Sequence, residues 1–178
     1  MGAVMWRLAK SLFVHIAVLV LALLLIYLVA RGQESLSAEV LTRYQGRSPA
    51  ALLTVLADAR GEIVTWAAIG IAISWIASAI FLAVAERTTA ANEREARRLI
   101  GLWAGMLIVT VALLAANSWL RLFSAGITGD LAASTFIACV LIGGLAVLIA
   151  YWLSTGLVVK RVMRPSVPLA AALPTFWS

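Results

Sequence analysis

The sequence predicts an all-α membrane protein with four transmembrane helices, both termini on the inner side, and a short amphipathic helix in the outer first loop. Three observations lead there. The 178 residues are 63% hydrophobic and 12% charged, with a mean hydropathy of +1.03. A typical globular domain carries about 25% charged residues, and a soluble chain of this size has too little interior to hide so much apolar surface. The apolar residues also collect in four runs, at 12–30, 63–85, 99–120 and 131–159. Finally, the 14 Lys and Arg and the 8 Asp and Glu all lie outside those runs. A soluble helix bundle needs a polar stripe along each helix. Without one, lipid is the solvent, and backbone polar groups in lipid must be satisfied within helices.

The first run holds 19 residues, longer than the roughly 7–15 of a signal-peptide core. Leu28 at the third position before Arg31 is too large for a cleavage site after Ala30, so a retained anchor is expected. Its Leu, Ile and Val bulk suggests a peripheral, lipid-facing helix. His15 is the one ionisable group in any span. Intramembrane ionisable groups are functional suspects, but the simpler expectation is a neutral imidazole near the boundary, bonded to a neighbour or a headgroup.

Residues 31–62 form the expected outer loop. Ser48 suits a helix N-cap, Pro49 a first turn and Gly61 a position just past a helix end. Leu52, Leu53, Val55, Leu56 and Ala59 supply one apolar face, giving a short helix at the outer membrane–water boundary. The second run carries small residues at Ala68 and Ala72 and at Gly70, Ser74 and Ser78. The inner loop, 86–98, contains Asn92 and Glu95 at capping-box spacing and the i,i+4 pair Glu93 and Arg97. The third helix should therefore begin near Glu93.

The third run carries Gly101 and Gly105, a GxxxG pair, and Asn117 as a polar intramembrane residue near its outer end. The fourth carries Gly143, Gly144, Ala146, Ala150 and Ser154. Small residues let membrane helices approach closely, so these positions are candidates for internal helix packing or for a partner interface. The inner tail, 160–178, contains Pro165, Pro168 and Pro174, which forbid a long regular helix. It is otherwise apolar and should lie on the inner leaflet or against another protein.

Orientation follows from basic residues, which concentrate on the cytoplasmic side. The N-terminus, inner loop and tail carry nine Lys or Arg, against five in the two outer connections. Trp6, Trp66, Trp119 and Trp152 fall near span ends, where indole favours the headgroup level. Trp75 and Trp103 lie deeper and read as packing residues.

No catalytic constellation, cofactor site or metal site is expected. One His cannot supply a bis-histidine haem or a multi-histidine zinc site, and Cys139 alone cannot form an intramolecular disulfide. Asp58 and Asp130 are the only aspartates, both outside the spans. A site in the outer loop built on them is a minor reading. No nucleic-acid motif accompanies the basic charge. The expected partners are the lipid bilayer and other membrane subunits, or further copies of this chain. The leading expectation is a non-catalytic subunit of a transport, secretion or energy-transducing complex in a bacterial inner membrane. The alternative is a small homo-oligomeric transporter or channel.

Overall fold

Every described residue that belongs to a regular element is helical. The computed structural model describes the backbone of residues 2–45, 49–89, 93–123, 133–170 and 173, and the side chains of 4–29, 61–89, 93–121, 138–170 and 173. Helix α1 is Gly2–Gln45 and α2 is Pro49–Arg87. The short α3, Glu93–Ala96, tightens through a 3-10 turn at Arg97–Leu99 into α4, Ile100–Ser118. A π-helical turn, Trp119–Phe123, ends that helix, and α5 is Ala133–Val158. A 3-10 turn, Arg161–Ser166, follows. Four stretches are long and apolar enough to cross a membrane: Val4–Val29, Gly61–Arg87, Glu93–Arg121 and Ala138–Val158.

The outer loop differs from the expected short helix. Helical backbone continues past the first apolar run to Gln45 and resumes at Pro49, running through Gly61 without a stop. A glycine inside a helix costs only about 1 kcal/mol, too little to end a helix whose neighbours are good helix formers. Pro49 does stand in the first turn, as expected. The side chains of the proposed apolar face, and those of Asp58 and Asp130, lie outside the described residues, as does the proposed cap Asn92. The inner loop supplies the expected helix start at Glu93, with Glu93 and Arg97 paired at 3.8 Å.

Helix α2 is the hub. It packs against α1, α4 and α5, while α1 and α5 also pack closely on each other. The third span is the least covered of the four; within α4 only Trp103, Thr110 and Asn117 are buried. The peripheral position expected for the first span therefore belongs to the third. The bulk of α1 does face outward, through Phe13, Ile16, Val20, Leu21 and Leu24, but its other face buries Ser11, Val14, His15, Ala22 and Ile26. Without a hydrophobic drive between helices in lipid, bulk does not predict which helix is covered; close-fitting faces do.

The tail also departs from expectation. Residues 160–170 turn back and close one end of their own bundle, with Met163, Val167 and Ala170 buried beside Phe81, Ala85, Ala96, Trp103 and Val158. Trp152 Nε1 donates to the Pro168 carbonyl at 2.7 Å, and Leu173 lies over Gly156, where an added Cβ would meet its Cδ1 at 2.6 Å. Pro165 sits inside the 3-10 turn. Proline breaks the α-helix but leaves a tight turn possible, and the turn returns the apolar residues to the core.

Candidate functional site

The polar residues of the membrane interior form a ladder between α1 and α2. Arg7, Ser11 and His15 recur every four residues on α1, and Ser74 and Ser78 do so on α2, a spacing that places side chains on one helix face. The helices run antiparallel, so the rows meet rung by rung. Ser11 Oγ and Ser78 Oγ are 3.0 Å apart, and His15 Nε2 lies 3.1 Å from Ser74 Oγ. All four side chains are fully buried.

Hydrogen-bond chemistry fixes the tautomer. His15 Nδ1 is 2.8 Å from the Ser11 carbonyl oxygen, which can only accept, so Nδ1 carries a proton. Nε2 faces the Ser74 hydroxyl, from which it accepts when the ring carries no second proton. Ser74 Oγ is also 3.1 Å from the Val147 carbonyl of α5, so its single proton has two acceptors. Three helices thus meet at one hydroxyl. His15 lies two turns from Arg7, about 12 Å along the helix, well inside the span rather than at a headgroup.

Below the ladder is an ionic clamp. Arg7 Nε lies 3.1 Å from Glu86 Oε2, and Lys160 Nζ lies 3.5 Å from Glu86 Oε1. Arg7 also donates to the Val158 carbonyl, and Lys160 to the Glu86 carbonyl. The N-terminal end of α1, the end of α2 and the end of α5 therefore share one end of the bundle. At the other end Arg121 reaches Glu62 at 3.5 Å.

A second polar cluster ties α2 to the third span. Asn117 Nδ2 donates to the Trp66 carbonyl at 3.2 Å, and Trp66 Nε1 donates to Ser118 Oγ at 2.8 Å. Trp66 is only 1% exposed, which removes it from the expected interfacial belt: its ring lies on Gly143, where an added Cβ would come within 2.2 Å. Cys139 is buried in the same apolar cluster. Nearer the clamp, Tyr151 Oη donates to the Trp103 carbonyl at 2.9 Å and Trp103 Nε1 to Thr155 Oγ1 at 3.0 Å.

The small residues divide into two groups. Gly70, Ser74, Ser78, Gly143, Ala146, Ala150 and Ser154 face the chain's own interior. An added Cβ at Gly70 would meet Leu114 and Val147 at 3.0 and 3.2 Å. Gly101, Gly105 and Gly144 have open space where a Cβ would stand, and Ala68 and Ala72 are exposed. The GxxxG pair thus contributes nothing to packing within the chain. Sequence reasoning missed Ser11 and Ser74 as partners of His15, and Ser78 as the partner of Ser11; the signal was their shared spacing of four.

These features define a class: by the length and composition of its four helices, the chain is an α-helical membrane protein in which several intramembrane polar groups bond across helices. Comparison with protein-family models, curated proteins and solved structures finds no match.

Proposed function

We propose that this chain is a non-catalytic integral membrane subunit of a larger assembly engaged in transport, secretion or energy transduction. The observation that supports this reading is the third span. It is little covered by its own bundle and presents Gly101 and Gly105 with open space above them. In lipid, helices associate through close backbone approach, so such a face suits another membrane helix. Within this reading the chain sits in a bacterial inner membrane with both termini inside, the side its basic residues favour. The amphipathic stretch 49–60 belongs to the outer boundary.

The homo-oligomeric transporter or channel has less support. Among the described residues, Ser11, Ser74, Ser78, Thr110, Asn117, Ser154 and Thr155 are polar side chains of the spans that lie buried inside the chain rather than on a face it could share with further copies. The test is substitution of both glycines by isoleucine. A Cβ added at either glycine has no atom of the chain within 4 Å, so the isolated protein should stay folded with little change in its melting temperature. Native mass spectrometry of the gently extracted wild type should show stoichiometric unlike subunits, and the variant should lose them. A homogeneous homo-oligomer with solute flux in liposomes would instead establish the alternative.

A further inference from the structure

Five exposed arginines gather at the clamped end of the bundle: Arg87, Arg94, Arg97, Arg98 and Arg161. They come from three segments that the fold ties together. Ala96 and Met163 are fully buried in one apolar cluster with Ala85, Val159 and Val167. That cluster holds the start of the third span against the tail turn, with their cations turned outward. Little acid offsets them. Glu86 is engaged by Arg7 and Lys160, Glu95 is half-buried, and the exposed Glu93 pairs with Arg97 at 3.8 Å. Two apolar side chains of the same tail segment are exposed as well: Val162 is 53% exposed and Leu169 is 78% exposed. Leu169 holds its backbone at φ 61°, a left-handed conformation uncommon for a residue with a branched side chain.

We infer that this shelf binds the phosphate-bearing headgroups of anionic phospholipids, with Arg97, Arg98 and Arg161 as principal contacts and Val162 and Leu169 set into the acyl boundary. Guanidinium matches phosphate geometry with paired donors. An interfacial element gains from both apolar insertion and charge. An acidic protein would satisfy the arginines but would have to bring apolar side chains beside its carboxylates; an anionic lipid carries charge and hydrocarbon together, at the level where the four apolar spans end. The inference does not depend on the chain being a subunit.

The test uses the full chain in mixed micelles of equimolar phosphatidylglycerol and phosphatidylcholine with matched acyl chains, read by native mass spectrometry. One arginine near an anionic surface is worth about 5-fold in lipid preference. Wild type should retain phosphatidylglycerol over phosphatidylcholine by roughly 10- to 100-fold on that basis. The triple variant Arg97→Gln, Arg98→Gln, Arg161→Gln should lose most of that preference, keeping only what Arg87 and Arg94 supply, and the matching lysine variant, which keeps the charge but not the paired donors, should fall between the two. Wild type in 1 M salt, where the Debye length falls to about 3 Å, should approach parity, a reading independent of whether the variant folds. Parity in the wild type at low salt would overturn the inference and leave the arginines to an acidic protein partner. A preference undiminished by the triple substitution or by the salt would overturn it too.

Discussion

At the scale of single residues, the interior is organised by where a hydrogen atom or a methyl group fits. His15 is tolerated in the membrane because both ring nitrogens have partners supplied by the chain. The adjacent glycines of α5 show the steric side. Gly143 lies under Trp66, whose indole is fixed by its bond to Ser118, whereas nothing lies within 4 Å of a Cβ at Gly144. Gly143→Ala should therefore destabilise the protein by about 1–3 kcal/mol, the usual penalty of overpacking. Gly144→Ala should be neutral or stabilise by up to about 1 kcal/mol, the helix propensity gained. Unfolding of both variants in the same detergent distinguishes them, and equal effects would contradict this packing.

Among the elements, α1 is held by its polar row and α4 by only a few anchors. The row on α1 ends in the clamp, where one carboxylate serves two cations on different helices. Glu86→Gln removes the shared anion and leaves Arg7 and Lys160 facing each other without it. Because Glu86 is largely but not wholly shielded, the expected loss is about 1–3 kcal/mol, below the cost of breaking a fully buried pair. A double-mutant cycle of Glu86→Gln with Lys160→Gln should show a coupling of the same sign. Additivity within about 0.3 kcal/mol would show the contact to be energetically silent. The tail turn belongs to the same end: its buried Met163 makes it part of the bundle rather than an appendage.

For the molecule as a whole, the clamp and the Arg121–Glu62 pair mark opposite ends of an antiparallel bundle. In a Cys139→Ser background, single cysteines at Thr89 and Arg161 should react with an impermeant reagent from one face of the membrane, and one at Gly61 from the other. All three are exposed, and none is placed in the packing. Labelling of Thr89→Cys and Arg161→Cys from opposite faces would rule out the fold.

The sequence by itself determined that four helices are long and apolar enough to span lipid and that charge lies outside the apolar runs. Those properties depend on composition and length, which are local. It did not reveal that Ser74 and Ser78 serve His15 and Ser11, that the third span rather than the first is the uncovered one, or that the proline-rich tail returns to its own bundle. Lipid is as apolar as the helices, so hydropathy assigns no inner face. The faces are chosen by fit between segments far apart in the chain, as with Trp66 on Gly143, and only the tertiary structure brings those segments together.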